Sequence, residues 1–222
     1  MLNALAWVEI HRKHLMLGAV ALIAVFGVIY LWRHLAAERE LAGNAAVLSL
    51  RGRPGRPETA PKAADYLKVA DEHASSRAAL RARLLAAGAY FGENRYAEAQ
   101  AEFERVLDSA GTGTLAAQAA YGAAASLDAQ DKLDEAIAKY QDVINRFADE
   151  NVAHQARFGL ARIYETRKQP ENALRFYDEI LRDREASVGL TGQSATQARE
   201  ELVRRHPELA GTNTTSAVTS TK

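Results

Sequence analysis

Residues 96–107, 133–144 and 170–181 read YAEAQAEFERVL, LDEAIAKYQDVI and PENALRFYDEIL. Each stretch begins 37 residues after the previous one. All three share a small residue, an aromatic residue four positions later, and apolar residues three and four positions after that. This spacing predicts one face of a repeated amphipathic helix. The aligned positions are Ala99, Ala136 and Ala173, then Phe103, Tyr140 and Tyr177, then Val106, Val143 and Ile180, then Leu107, Ile144 and Leu181.

A further helix is predicted before each of these stretches, so the repeating unit is helix, short turn, helix. The first helices of the units are expected at about 77–91, 115–128 and 152–166. The second helices are expected at about 96–108, 133–147 and 170–184. Side-chain oxygens that can accept from the free amides of a first turn stand where N-caps belong, at Ser76, Thr114 and Asn151.

The repeat resembles the tetratricopeptide repeat, whose usual unit of about 34 residues is lengthened here by three. In the third unit, five positions of that pattern are filled by Leu160, Ala161, Tyr164, Ala173 and Tyr177. The early aromatic of the pattern is replaced by Arg83, Ala120 and Arg157. The resemblance implies an all-α solenoid of about 3.5 repeats.

A segment without charged residues, 15–32, precedes the repeats. As a helix its 18 residues span about 27 Å at roughly 1.5 Å per residue, which nearly matches the apolar core of a bilayer. We predict a short N-terminal segment (1–14) followed by a single transmembrane helix (15–32). A cleavable signal peptide is the alternative. The positive-inside rule leaves the orientation open, because two Arg or Lys residues lie close to each end of the segment.

The remaining chain divides by composition and by the 37-residue register. Tyr66 lies 37 residues before Phe103, which indicates a degenerate leading repeat over 35–74 with a Pro/Arg-rich loop at 51–61. Three repeats and a C-terminal capping helix are predicted over 75–206. Ser194 and Gln197 form a possible capping box for that last helix, which should end near Arg205. The Thr/Ser-rich end, 207–222, is expected to be disordered.

The composition and the motifs of the chain argue against several classes of function. The chain has 222 residues, with 28 basic and 28 acidic side chains, and this balance argues against a nucleic-acid binder that works by bulk charge. The absence of cysteine excludes thiolate metal sites and cysteine nucleophiles. None of the six histidines belongs to an HExxH motif, and the chain lacks a Walker loop and a GxSxG elbow. We therefore predict no catalytic residues, metal, cofactor or small-molecule substrate.

The first helices of such a solenoid line a groove that binds protein partners. At one inward position of the repeat stand Leu84, Tyr121 and Phe158, and at another stand Phe91, Asp128 and Glu165. Arg162 lies between these two rows. We predict that a partner peptide anchors its apolar side chains on this strip. The alternative is that the three apolar side chains pack against a neighbouring repeat or the terminal helix.

A single span followed by repeats of this kind resembles the YfgM-like family of ancillary SecYEG translocon subunits, whose repeat domain is shared with cell-division coordinators of the CpoB type. That resemblance implies a bacterial inner-membrane protein with a cytoplasmic N-terminus and a periplasmic repeat domain. It also implies that the Sec translocon and a membrane-anchored periplasmic chaperone are partners. Two alternatives stay open: a membrane adaptor that faces the cytosol, and a soluble envelope or cell-division adaptor released by signal cleavage.

Overall fold

The structure is a computed structural model that describes residues 2–50, 61–74 and 76–211. Within these ranges the protein is an all-α solenoid with no β-strand. Its helices are α1 (Leu2–Leu50), α2 (Ala63–Glu72), α3 (Arg77–Gly92), α4 (Tyr96–Ala110), α5 (Thr114–Ala129), α6 (Leu133–Arg146), α7 (Asn151–Thr166), α8 (Pro170–Arg182), α9 (Arg184–Val188) and α10 (Leu190–Arg205). A 3₁₀ turn, Pro207–Gly211, follows α10. Most of the predicted loop and of the Thr/Ser-rich tail, 51–60 and 212–222, lies outside the described residues.

The N-terminal helix α1 is uninterrupted for 49 residues. It contains the apolar segment and continues to Leu50, where its last turns pack against α2 and α3. Val47 is buried there beside Val69 and Ala79. The apolar segment and the first packed helix of the solenoid therefore belong to one continuous helix.

The same end of α1 also caps α3. The Glu40 carboxylate accepts hydrogen bonds from the backbone N–H groups of Arg77 and Ala78, at 2.7 and 3.3 Å. Ser76 accepts a third such bond from Ala79, as the N-cap prediction requires. Because the first turn of a helix leaves its N–H groups without partners, the two bonds to Glu40 satisfy two of them and fix α3 to α1.

The 37-residue register is confirmed by the core. The small positions Ala99, Ala136 and Ala173 are completely buried. The aromatic positions that follow them, Phe103, Tyr140 and Tyr177, are buried as well. An alanine at the small position lets the two helices of a unit approach closely, and the aromatic ring fills the space one turn further on.

The turns inside the repeats follow the same register. Asn94, Asp131 and Lys168 all have left-handed backbone conformations, with φ between 57° and 61°. They are spaced by 37 residues and lie in the short connection between the two helices of each unit. A side chain at such a φ is strained, and Asn and Asp tolerate the strain better than most residues. The repeat is therefore regular in its backbone as well as in its core.

Neighbouring repeats meet through a contact between a glycine and an aromatic ring. A Cβ atom on Gly122 of α5 would lie 2.5 Å from the Phe103 ring of the preceding unit. A Cβ on Gly159 of α7 would lie 2.7 Å from the Tyr140 ring. These glycines are 37 residues apart, so the close approach occurs at the same register position of both junctions.

Several predicted helix boundaries were wrong. Thr114 and Asn151 are the first residues of their helices, and the N-cap positions belong to Gly113 and Glu150. The second helix of the third unit ends at Arg182, because Asp183 leaves the helical conformation and caps the short α9 instead.

The C-terminal end differs most from expectation. The helix α10 begins at Leu190, so Ser194 lies inside it and does not open it. The predicted disordered end begins too early, since residues 207–211 form the 3₁₀ turn and Leu209 is buried in the main core cluster. Pro207 stands 37 residues after Pro170, where the second helix of a further unit would start. Within the described residues, the solenoid therefore continues through the first helix of a further unit to a turn at the start of its second.

Candidate partner-binding groove

One end of the groove is an apolar cavity beside the N-terminal helix. Leu84 lines it together with Leu48 from the end of α1 and Leu115 from the start of α5. The cavity has a volume of about 520 Å³. The remaining lining residues are Asn44, Val47, Arg81, Leu85 and Gln118. The helix that carries the apolar segment thus forms one wall of the predicted binding surface.

The middle of the groove is formed by two half-buried rings. The Tyr121 ring centre lies 5.9 Å from that of Tyr140, and the Phe158 ring centre lies 5.7 Å from that of Tyr177. In both pairs the partner comes from the second helix of the same unit, and not from a neighbouring repeat or the terminal helix. Each ring therefore has one part packed in the core and another part accessible to a ligand.

The far end of the groove is polar, and its two acids are held by tyrosines. The Tyr177 hydroxyl donates to Glu165 Oε1 at 2.6 Å, and the Tyr140 hydroxyl lies 3.5 Å from Asp128 Oδ2. Arg205 of α10 pairs with the second oxygen of Glu165 at 2.5 Å. The terminal helix therefore contributes to the groove through an ion pair.

The protonation equilibria follow from this partial burial. Desolvation raises the pKa of Asp128 above its ordinary value, and the positive charge of Arg162 partly opposes the shift. Burial likewise raises the pKa of Tyr140 and of Tyr177, so both phenols are neutral donors at physiological pH. The hydrogen bond to Glu165 raises the pKa of the Arg205 guanidinium.

Arg162 lies among these groups but is exposed. It acts electrostatically on Tyr121, Asp128 and Tyr140. Among the described residues no carboxylate oxygen lies within 4.0 Å of its guanidinium. Arg162 is thus a cation on the groove surface that has no ion-pair partner in this part of the chain.

The structure groups the residues predicted from the repeat in three places. Tyr121, Asp128 and Arg162 lie together around Tyr140. Phe158 and Glu165 both contact Tyr177, which joins them to the polar end. Leu84 lies in the apolar cavity, whereas the Phe91 ring packs edge-on against Tyr96, with ring centres 5.1 Å apart.

Sequence reasoning missed the contributions of Leu48, Leu115 and Arg81 to the cavity. It also assigned Tyr140 and Tyr177 only to the helix contacts within the repeat, although their hydroxyl groups hold the groove acids. One signal was available: a tyrosine, unlike a phenylalanine, at a buried position requires a hydrogen-bond partner.

Within the described residues, no group of three or more His, Cys, Asp or Glu side chains is placed to hold a metal ion. One helix in that part of the chain is long and apolar enough to cross a membrane, with the candidate span at Ala21–Leu50. Length and composition alone define it, and a signal sequence passes the same test.

The family model of the tetratricopeptide repeat-like domain matches residues 6–139. The match covers more than half of the chain and includes the apolar segment, the leading helical pair and the junction between Phe103 and Gly122. The protein therefore belongs to the tetratricopeptide repeat-like domain family. Repeats of this family typically mediate protein interaction and not catalysis. A search of the curated proteins finds no match to this chain.

Proposed function

We propose that this protein is a membrane-anchored scaffold that binds segments of partner proteins in the groove formed by α1, α3, α5 and α7. The observation that carries the proposal is the continuity of α1, which is an exposed apolar helix at one end and a wall of the groove at the other. Leu48 follows Trp32 by 16 residues, so the cavity lies about 24 Å along the helix from the end of the apolar segment.

The exposure of the apolar segment supports anchoring. Ile23, Phe26 and Trp32 each expose about 70% of their surface, and no other described helix covers them. A continuous apolar surface of this size is stable only against lipid or another protein. In this proposal residues 15–32 cross the bacterial inner membrane and the repeats are periplasmic, where the Sec translocon and a membrane-anchored chaperone are their partners. The resemblance to YfgM-like subunits supports this placement.

The groove supports partner binding because its apolar side chains are only partly buried in the core. Tyr121 and Phe158 have accessible ring edges, and Leu48 and Leu84 line an open apolar cavity. A rigid frame that presents apolar anchors in a depression is the arrangement used to bind helical or extended segments.

The test has two parts, and the first is topology. A C-terminal tag is followed in membrane fractions and in spheroplasts treated with protease, and the intact mass of the purified protein is measured. We expect membrane retention, digestion from outside and an uncleaved N-terminus. Protection until lysis would place the repeats in the cytosol. A mass lower by more than 30 residues would support the secreted adaptor.

The second part is capture of partners. A photo-crosslinking amino acid is placed at Leu84 or Phe158 in the groove, and at exposed Lys139 on α6 as the matched control. We expect crosslinks to translocon or chaperone subunits from the two groove positions and not from Lys139. Equal capture from all three positions, or none from the groove, would contradict the proposed function.

A further inference from the structure

The charged groups of the groove are not equally available to a ligand. Both oxygens of Glu165 are occupied, one by the Tyr177 hydroxyl and one by Arg205. Asp128 is half buried beside Tyr140, and its raised pKa reflects the desolvation of its charge. Glu165 therefore offers little additional attraction to a cationic partner, because its charge is already paired. The charge of Asp128 is partly offset by Arg162.

The groove arginines present the opposite case. Arg162 and Arg81 are both exposed, and in the described part of the chain neither has a carboxylate within 4.0 Å. Arg81 donates from Nη1 to the neutral Asn44 side chain at 2.9 Å. Arginines that point toward the second helices do find acids: Arg83 pairs with Glu102 of α4, and Arg157 lies 3.6 Å from Glu179 of α8.

The two arginines lie at opposite ends of the apolar strip formed by Leu84, Tyr121 and Phe158. Arg81 lies one turn before Leu84 on α3, and Arg162 lies one turn after Phe158 on α7. The apolar strip therefore runs between two arginines that have no ion-pair partner in the described part of the chain.

We propose that the groove selects partner segments that carry an apolar centre flanked on both sides by acidic side chains. This inference rests on the proposed function of the groove and names the chemistry of its partner. The apolar centre occupies the Leu48–Leu84 cavity and the Tyr121 and Phe158 edges, and the flanking carboxylates pair with Arg81 and Arg162. Arginine suits this role because its guanidinium remains charged and forms two parallel hydrogen bonds with a carboxylate.

The occupant is another protein and not a segment of this chain. The two stretches outside the described residues, 51–60 and 212–222, contain one acidic side chain between them, Glu58. The first has three arginines and the second is rich in Thr and Ser. Neither has an apolar centre between acids, so neither is complementary to the groove.

The test uses the full-length protein in detergent and three fluorescent synthetic peptides of equal length. They share a centre of Leu and Phe and differ only in their flanks, which are Glu, Gln or Lys. Fluorescence anisotropy measures each Kd at low and high ionic strength. We expect the Glu-flanked peptide to bind about two- to fivefold more tightly for each arginine that it engages, as for other exposed ion pairs, and to lose that advantage in salt.

Variants assign the effect to the two arginines. We expect Arg81→Gln and Arg162→Gln each to weaken the Glu-flanked peptide about two- to fivefold and to leave the Gln-flanked peptide unchanged. The matched control is Arg204→Gln on α10. Arg204 is also exposed and has no carboxylate within 4.0 Å in the described ranges, but it is not one of the two groove arginines. That variant should change the Kd of neither the Glu-flanked nor the Gln-flanked peptide. Circular dichroism verifies that all three variants are folded.

The outcomes separate this inference from the proposed function. Equal affinity for the Glu and Gln peptides, tighter binding of the Lys peptide, or no binding of any peptide would overturn the acidic-flank inference. Concentration-dependent dimers that exclude the peptides would also overturn it, since a second copy would then fill the groove. The proposed function is tested separately, by the crosslinking from Leu84, Phe158 and Lys139 and by the topology experiment, so peptide results alone do not decide it.

Discussion

The helices α1 and α5 are both rich in apolar residues, yet almost nothing else about them is alike. In α5 the apolar residues are mainly alanines, and nine of its 16 residues are buried. In α1 the apolar segment consists mainly of large side chains, and those described between Ala21 and Trp32 are exposed. Small side chains allow α5 to pack closely against both α4 and α6. Large apolar side chains that contact no other helix are expected where α1 is surrounded by lipid or by a partner protein.

The comparison shows that apolar content alone does not distinguish a core helix from an anchor. The size of the side chains does, because packing at helix junctions tolerates little volume. The same reasoning separates the two ends of α1. Toward its C-terminus glycine and alanine appear at the contact positions, and Gly43 lies so near to Ala78 that an added Cβ would be 2.7 Å from the Cβ of that residue.

The largest expected effect comes from a carboxylate placed inside α5. Ala124 is completely buried, so Ala124→Glu should lower the free energy of unfolding by about 3–5 kcal/mol, because the charge is buried without a partner. Thermal unfolding followed by circular dichroism measures the loss. The control is Ala129→Glu, at an exposed position of the same helix. A melting temperature equal to that of the control would contradict the assigned register.

The same substitution in α1 should affect a different property. Ile23 lies near the centre of the apolar segment and is 70% exposed. We expect Ile23→Glu to leave the Tm of the solenoid unchanged and to reduce membrane retention, because a charged side chain at the bilayer centre costs about 2.5–3.5 kcal/mol. Carbonate extraction of membranes measures retention. Full retention of this variant would argue against a lipid environment for the segment.

Two glycines extend the comparison at a smaller scale. Gly122→Ala in α5 should destabilise the solenoid by about 1–3 kcal/mol, because its Cβ would press against the rigid Phe103 ring. Gly27→Ala in α1 has no atom within 4 Å of the new Cβ and should leave the Tm unchanged. Differential scanning calorimetry of both variants checks the contrast. If Gly122→Ala were neutral, the ring would have room to move and the junction would be looser than the distances indicate.

Much of the fold could be predicted because the repeat is encoded locally. Ala136, Tyr140 and Val143 repeat the pattern of the preceding unit, and a helix with that spacing has one way to bury its face. The glycine–ring junctions were missed, although Gly122 and Gly159 are also 37 residues apart. Their role depends on a ring from the preceding unit, which a pattern within a single helix does not show.

The C-terminal end and the charges of the groove were harder to predict for a physical reason. The helix α10 begins four residues before the capping signal at Ser194, since its first turn, at Gly192, packs against the backbone of α9 although it lacks a local cap. The sequence correctly placed two acids, Asp128 and Glu165, in the groove near Arg162. It could not show that Tyr177 and Arg205 already satisfy Glu165, because these partners come from other helices.

The smallest expected effect concerns Asp128, the one acid of α5 that lines the groove. Its pKa in the folded protein is raised above the ordinary value of 3.8, mainly by desolvation. The folded state therefore binds the proton more tightly than the unfolded state, and stability falls as the pH rises from about 4 through the folded pKa. We expect Asp128→Asn to remove this part of the pH dependence and to leave the Tm at neutral pH equal or slightly higher.

Unfolding in urea at several pH values between 4 and 7 measures this difference. Asparagine keeps an oxygen that can accept from the Tyr140 hydroxyl, so the substitution tests the charge and not the hydrogen bond. An unchanged pH dependence in the variant would contradict the desolvation of Asp128. If the charge does reduce stability, its presence in α5 needs a reason outside the fold. The electrostatic interaction of Asp128 with Arg162 is such a reason, because it limits the positive charge that the groove presents. It predicts that Asp128→Asn binds the Glu-flanked peptide more tightly.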